Sequence, residues 1–371
     1  MSLGYNERLK KGVDRGLCGD PEVVEPQSSW HTKVAELAKL IHNSSYVVVH
    51  TGAGISTSCG IPDFRGENGV WTCEQQGRVP PNGTSFDAAL PSLTHMAIAR
   101  LVQAGVVRHV VSQNVDGLHL RSGVPRRCLS ELHGNIFAEV CERCRTEYYR
   151  SKDVRGMGLK PTGNICEDLE CGGALRDNTY DWDSDLPQVE FDRAHYHHRK
   201  ADLALILGTS LRIRPAGNMP MMTFRRNGKP AEGKFVIVNL QQTHLDSKAA
   251  LKIRAPLNSV FKLLMGHLNL EIPAAPGSDL TPQIKLLPHI PSFCAESEAK
   301  LAATDLLSTS AETGTEPKLF GARSDSNGDS TATDSTRQHH PASKSTNTSE
   351  ELTSLARSVK RRKKLDHNIH D

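Results

Sequence analysis

Apolar residues recur at Val34, Leu37, Ala38 and Ile41, the spacing of one helical face, and Ser44-Ser45 then gives way to the unbroken apolar run Tyr46-Val47-Val48-Val49. This order predicts a helix, a turn and a strand buried on both sides. Runs of strand length recur at Val106 to Val111, Ala201 to Leu207 and Phe235 to Val238, each ending in polar or glycine-containing sequence. Between the first two strands, Ser92 to Ala104 carries a helical pattern that Gly105 closes as a C-terminal cap. Strands alternating with helices predict an α/β fold, a parallel sheet covered on both faces.

Two regions depart from that pattern. Residues from Phe137 to about Asp185 are rich in Cys, Gly, Arg and Asp and poor in apolar runs, as expected of a small inserted module held by metal rather than by a core. After Ile272 come Pro273, Pro276, Pro282, Pro288 and Pro291, then a Ser/Thr/Asp-rich stretch from Ser308 to about Thr353. Such a segment cannot bury enough apolar surface to offset its chain entropy and is expected to be disordered, with Leu352, Leu355 and Val359 able to form a short helix only on a partner.

Composition adds limits rather than direction. The 371 residues carry 45 Lys and Arg against 42 Asp and Glu, so the overall field is close to neutral and any basic surface is local. The N-terminus lacks an apolar signal region, and no apolar run is long enough to span a bilayer, so a soluble intracellular protein with no membrane partner is expected. Nine cysteines without a secretory signal read as reduced thiols or metal ligands.

The candidate chemistry sits where strands end. Thr51-Gly52-Ala53-Gly54-Ile55-Ser56 directly follows the first strand; glycines at a strand-to-helix turn let backbone amides approach a diphosphate, and a following helix N-terminus adds partial positive charge. The strict dinucleotide fingerprint wants a third glycine where this chain has Thr57, so these residues alone fit a plain tight turn equally well. The continuation Gly60-Ile61-Pro62-Asp63-Phe64-Arg65-Gly66 leads to Trp71. Pro62 stops a regular helix and leaves Asp63, Phe64 and Arg65 on a loop beside the glycine turn. There an Arg can pair with phosphate oxygens and an aromatic can cover a planar ring, although Phe64 and Trp71 also suit an ordinary core. Ser112-Gln113-Asn114-Val115-Asp116 follows the second strand, Gly208-Thr209-Ser210 the third, and Asn239-Leu240-Gln241 the fourth. In open α/β sheets ligands bind beyond the carboxyl ends of the strands, so the four ends are expected to converge on one crevice.

His133, in Glu131-Leu132-His133-Gly134-Asn135, lies on a short connection near these ends and titrates in the range an acid/base residue needs, against the usual structural role of a lone histidine. His195, His197 and His198 read as a solvated face. Cys141-x-x-Cys144 followed by Cys166-x-x-x-x-Cys171 is the strongest physical signal. Two thiolate pairs at that spacing can complete a tetrahedron around one zinc ion, closed to water and therefore structural, against the reading of four unrelated buried thiols. Cys18, Cys59, Cys73, Cys128 and Cys294 lack such pairing. In the tail, Lys360-Arg361-Arg362-Lys363-Lys364 resembles a nuclear import signal, read by an import receptor.

Taken in order, Gly52-Ala53-Gly54-Ile55-Ser56, Gly60 to Arg65, Gln113-Asn114-Val115-Asp116, His133-Gly134, the two Cys pairs, Gly208-Thr209-Ser210 and Val238-Asn239 resemble the sirtuins, over roughly Val34 to Leu270. The form of Ser112 to His119, Gly69-Val70-Trp71 and Asp181-Trp182-Asp183 before Leu186-Pro187 looks most like the nuclear class IV branch that contains sirtuin-6. The resemblance implies an N-terminal extension (1–30), a Rossmann-like NAD-binding domain (31–136 and 200–272), a small zinc-binding module with a connecting segment (137–199) and a disordered tail (273–371). It implies NAD as a consumed co-substrate and deacylation of lysines on histone tails, extending to long acyl chains, in the nucleus and on chromatin or nucleosomes. By the same mapping His133 is the base, and Asn114 and Asp116 hold the nicotinamide and its ribose. Phe64 shields the reacting face and Arg65 meets the diphosphate or the acyl group. Gly52, Ala53, Gly54, Thr57, Asp63, Trp71, Gln113, Gly208, Thr209, Ser210, Asn239 and Gln241 line the cofactor cleft, with Leu257 near the adenine. Mono-ADP-ribosyl transfer from the same cleft, a chromatin adaptor with low activity and a conventional dehydrogenase are the alternatives. Two departures stand out: the segment between the third and fourth cysteines is short and acidic, Glu167-Asp168-Leu169-Glu170, where the branch has a longer basic one, and Pro256-Leu257 replaces an aromatic and a valine.

Overall fold

A computed structural model of the chain describes residues 2–275, save Asp183, Asn227 and Gly228. The tail from 276 onward, with Cys294 and Lys360 to Lys364, lies outside the described residues. In chain order the elements are α1 (Ser2–Arg8), α2 (Gln27–His42), β1 (Val47–Thr51), α3 (Val70–Gln75), α4 (Leu93–Gln103), β2 (Val107–Ser112), α5 (Leu118–Arg121), β3 (Leu129–Glu131), β4 (Gly134–Cys141), β5 (Glu147–Tyr149), β6 (Pro161–Ile165), β7 (Ala174–Thr179), α6 (Gln188–Lys200), β8 (Leu203–Leu207), β9 (Arg225–Arg226), β10 (Lys229–Pro230), β11 (Lys234–Val238), β12 (Leu251–Ile253) and α7 (Leu257–His267).

Six strands form a sheet in the order β12-β11-β8-β1-β2-β3, with every neighbouring pair parallel. Side chains of a strand alternate between faces, and the core divides accordingly. Val47 and Val49 of β1 pack with Val34, Leu37 and Ile41 of α2, Leu101 of α4 and Val260, Phe261 and Leu264 of α7. Val48 packs on the other side with Leu132, with Ala194 of α6 and with Ala216 and Met219 of the 3-10 segment Ala216–Phe224. Each of the four predicted strands is present, its ends within two residues of those expected. Helix α4 opens on a capping box at Ser92: the Ser92 hydroxyl accepts from the His95 amide while the His95 ring accepts from the Ser92 amide.

In a second sheet, antiparallel in the order β5-β4-β7-β6, Cys141 ends β4 and Cys166 follows β6, while Cys144 and Cys171 lie in the turns that lead to β5 and β7. Strand β4 starts immediately after His133 and ends at Cys141. Gly134 has φ of +80°, and a Cβ there would stand 1.8 Å from the Asn178 carbonyl oxygen, so His133 can be followed only by glycine.

One expectation is corrected. Two of the three α6 histidines are not on a solvated face: His197 is 6% exposed and His198 is fully buried, packed against the sheet, while His195 is partly exposed. In the N-terminal segment, Tyr5 and Leu9 pack with Ile61, Val70, Trp71, Phe86 and Phe137. No helix among the described residues is long and apolar enough to cross a membrane.

Candidate active site

The carboxyl ends of β1, β2, β8 and β11 open onto one cleft of about 1060 Å³. The sequence singles out Gly52, Ala53, Gly54, Thr57, Asp63, Phe64, Arg65, Trp71, Gln113, Asn114, Asp116, His133, Gly208, Thr209, Ser210, Asn239, Gln241 and Leu257, and every one of them lines it.

The floor is backbone packed on backbone. The Gly54 amide donates to the Gly208 carbonyl at 2.8 Å. A Cβ at Gly54 would meet Gly208 Cα at 2.8 Å, and one at Gly208, where φ is +58°, would meet the Gly54 carbonyl carbon at 2.7 Å. Glycine is thus required on both sides, and the two turns can form one shallow cradle. The α-helix expected directly after the glycine turn is absent. In its place stand two 3-10 turns, Ala53–Ile55 and Thr57–Cys59, so the positive end of a long helix does not face this cradle.

Behind the cradle the polar side chains form a fixed network. Asn114 donates through Nδ2 to the Gly52 carbonyl at 3.1 Å and to Ser56 Oγ at 3.3 Å, and Ser56 Oγ donates to Asp116 Oδ2 at 2.7 Å. The other Asp116 oxygen accepts from the Leu118 amide at 3.0 Å. Burial pushes the Asp116 carboxyl up from its ordinary value, while these donors, the Leu118 amide first, pull it back. Sequence reasoning gave Ser56 no role of its own, although it lies inside the glycine motif; its position late in the turn, opposite the amide and acid of the next strand end, was the available signal.

His133 sits half-buried between β3 and β4. Its Nδ1 is 2.7 Å from the main-chain oxygen of Gln113. A carbonyl oxygen only accepts, so Nδ1 carries a proton, and in the neutral ring Nε2 is left with a free lone pair. Burial lowers the pKa of His133, with a smaller contribution from Arg65, and the Gln113 carbonyl partly opposes this.

The loop after the glycine turn forms the opposite wall. Phe64 and Trp71 stand 4.5 Å apart between ring centroids, lining the cleft and at the same time packing in a core cluster. Arg65 lies 4.4 Å above the Trp71 ring, and its Nε and Nη2 donate to the Arg15 carbonyl at 3.2 and 3.1 Å. Burial lowers its pKa to about 10. The N-terminal segment therefore helps to build this wall: the Trp71 indole donates to Asn6 Oδ1 at 2.6 Å, and Gln241 donates to the carbonyls of Asp20 and Arg65 at 2.6 and 3.0 Å. Nothing in the polar sequence before residue 26 signalled this role.

The sulfurs of Cys141, Cys144, Cys166 and Cys171 all lie within 4.8 Å of one another, with Cys141–Cys171 and Cys144–Cys166 both at 3.6 Å. A tetrahedron with Zn–S arms of about 2.3 Å has edges near 3.8 Å, so the cluster is suited to a structural zinc ion. Four thiolates leave no position for water. Such an ion would pin the far end of β4, whose near end follows His133.

The Sir2 family profile matches residues 52–84 and 81–215. At 43% identity over 293 residues, the chain also matches the NAD-dependent protein deacetylase Sirt6 of Drosophila melanogaster, covering 77% of this chain and 91% of that protein.

The chain belongs to the Sir2 family.

Another Sir2 relative, the NAD-dependent protein deacetylase SRT1 of Arabidopsis thaliana, is 49% identical over 274 residues, 74% of this chain. This chain spans only 57% of that relative's length. Among solved structures, Sir2 with a deacetylated p53 peptide and 3′-O-acetyl ADP-ribose matches at 30% identity with a TM-score of 0.50, over 64% of this chain and all of that one. The Sir2 assignment accounts for the order of the motifs and for the parallel sheet with its small four-cysteine module.

Proposed function

We propose that this chain is an NAD-dependent protein-lysine deacylase that moves the acyl group from lysine to ADP-ribose and releases nicotinamide. The observation that carries the reading is the meeting of four strand ends with His133 in one cleft, its Nδ1 turned to the Gln113 carbonyl so that Nε2 is the nitrogen left free. NAD supplies a glycosidic carbon and a cationic nicotinamide that leaves as a neutral molecule, so no protein nucleophile is needed; the amide oxygen of the acyl-lysine takes its place on the ribose. His133 Nε2 then accepts the proton of a ribose hydroxyl, which attacks the acyl carbon; the lysine amine leaves from that carbon with a proton, and one water adds to the remaining ribose–acyl bridge to give acyl-ADP-ribose. Asn114 and Asp116, held rigid by Ser56 and the Gly52 carbonyl, position the nicotinamide and its ribose. The Gly52-Ala53-Gly54 turn and Gly208-Thr209-Ser210 receive the diphosphate, with Thr57, Asp63, Gln113, Asn239 and Gln241 beside it. Leu257, at the first turn of α7, packs on the adenine. Phe64 and Trp71 exclude water from the reacting face, and Arg65 stands by the diphosphate or the acyl group.

In this reading the chain divides into a Rossmann-like part (31–136 and 200–272) and a zinc module (137–199), and belongs to the nuclear class IV branch. Its substrates are acylated lysines of histone tails on chromatin, reached after nuclear import through Lys360 to Lys364. Sequence supports these finer points: the branch-like form of Ser112 to His119 and the basic run. The test is incubation with NAD and a panel of acylated histone peptides, scoring nicotinamide release and peptide mass together. Loss of an acyl mass with equimolar nicotinamide is expected; a reduced cofactor, or a side chain gaining ADP-ribose without deacylation, would overturn the reading.

A further inference from the structure

A line of buried hydrogen bonds runs from α6 through β1 to the cleft. Its direction is fixed at one end. His198 Nδ1 lies 2.9 Å from the Ala194 carbonyl oxygen, one turn earlier in α6. That oxygen only accepts, so Nδ1 holds the ring proton and His198 Nε2 is an acceptor. Its partner at 3.2 Å is His50 Nδ1, which must donate. His50 Nε2 is then an acceptor in turn, and the group 2.9 Å from it is the Gln113 amide, whose NH2 must point there. The second proton of that NH2 goes to Thr209 Oγ1 at 2.9 Å. His50 and His198 are both fully buried, and burial lowers both rings below the ordinary histidine range, His198 to about 4, so both are neutral at physiological pH. With both amide protons committed away from it, Gln113 has Oε1 left for the cleft that it lines.

We propose that His50 and His198 are positioning residues that fix the Gln113 amide with its oxygen toward the cleft, so that Gln113 recognises a hydroxyl donor, a ribose hydroxyl of the bound dinucleotide, rather than an acceptor. This rests on the reading of the cleft as an NAD site. The consequence is specific. An apolar residue at position 50 frees the amide to rotate and present NH2 to the ribose, while a residue that accepts at the same place restores the orientation. His50→Leu removes the acceptor. His50→Gln puts a carbonyl oxygen where Nε2 stood and an NH2 toward His198.

The experiment uses the full chain with NAD and an acylated histone peptide, reading nicotinamide release, together with thermal melting and long-range 15N–1H spectra of the histidine rings. The spectra are expected to show His50, His198 and His133 all in the Nδ1–H form. His50→Leu is expected to raise KM for NAD about tenfold, the typical loss when one oriented hydrogen bond is replaced by a mismatched one, with KM for peptide and kcat within about twofold. His50→Gln and His198→Gln are expected to return KM for NAD to within about threefold of the unaltered chain. Equal loss in the Leu and Gln variants, a change confined to kcat, or an Nε2–H ring at His50 would overturn the proposal. The ring spectra decide even where His50→Leu fails to fold. An unaltered chain that takes up no NAD would overturn the cleft reading together with the ligand assigned to Gln113, whereas normal turnover with insensitive variants would overturn the positioning role alone.

Discussion

His133 donates its Nδ1 proton to the main-chain oxygen of Gln113 at 2.7 Å. The residue expected to remove a proton is thus oriented by the residue expected to contact the ribose, and the shared strand end fixes both. This bond settles which ring nitrogen is free, which the spacing of residues could not.

The same geometry sets the pH response. Burial lowers the pKa of His133 from its ordinary value near 6.5. A base works when unprotonated, so kcat/KM should stay flat through neutrality and fall only on acidification below the usual histidine range. His133→Ala should lower kcat by about 10²- to 10⁴-fold while NAD affinity and the melting temperature change little. Turnover against pH, with calorimetry of NAD binding, checks both; an acidic limb above pH 7 or near-normal activity of the alanine variant contradicts the assignment.

Gly208→Ala tests the cradle. The left-handed backbone alone costs about 1–2 kcal/mol, and the added Cβ meets the Gly54 and Ile55 backbone at 2.7 Å, where no flexible side chain can give way. A lower urea midpoint together with loss of NAD binding is expected. An unchanged midpoint would mean that the two turns do not pack this closely.

Ser56→Ala should cost about 1–3 kcal/mol, because Asp116 Oδ2 loses its hydroxyl donor while remaining buried. Asp116 has a folded-state pKa above the unfolded 3.8, so the folded chain holds the extra proton and this group's contribution to stability falls as pH rises through the shifted range. Removing Ser56 raises that pKa further. The deficit of the variant should therefore be largest near neutral pH and shrink on acidification through the shifted range, read from denaturation midpoints; a deficit that grows in acid would reverse the assigned protonation.

One zinc ion per chain should be found by atomic absorption, and Cys166→Ser should release it. Strand β4 joins the cysteine cluster to the residue after His133 over eight residues, so chelation is expected to remove both the ordered small sheet and turnover. The two losses should run in parallel. Activity that survives complete removal of zinc would separate the cluster from the cleft.

Much of this site was legible in the sequence, for a topological reason. Parallel strands end on the same side, so polar residues after four apolar runs had to meet, and Gly52, Gln113, Gly208 and Asn239 do. The four cysteines were legible because metal ligation needs only spacing. Burial of His197 and His198 was not, since α6 is polar overall and only the sheet beneath it decides which face is covered. The part played by Tyr5, Asn6, Arg8 and Arg15 was hidden too. Long-range hydrogen bonds of this segment reach across 50 positions of chain, from Arg15 to Arg65, 59, from Arg15 to Glu74 in α3, and 145, from Arg8 to Asp153, and carry no local periodicity. Where an α-helix was expected after Gly54, Pro62 and the close approach of Gly208 leave room only for 3-10 turns.

The most direct test of the central claim is the fate of the acyl group, followed by mass spectrometry of the small molecules formed from NAD and an acyl-lysine peptide. Acyl-ADP-ribose, nicotinamide and free lysine peptide in equal amounts are predicted. Free carboxylic acid as the first product, or deacylation that proceeds without NAD, would contradict it.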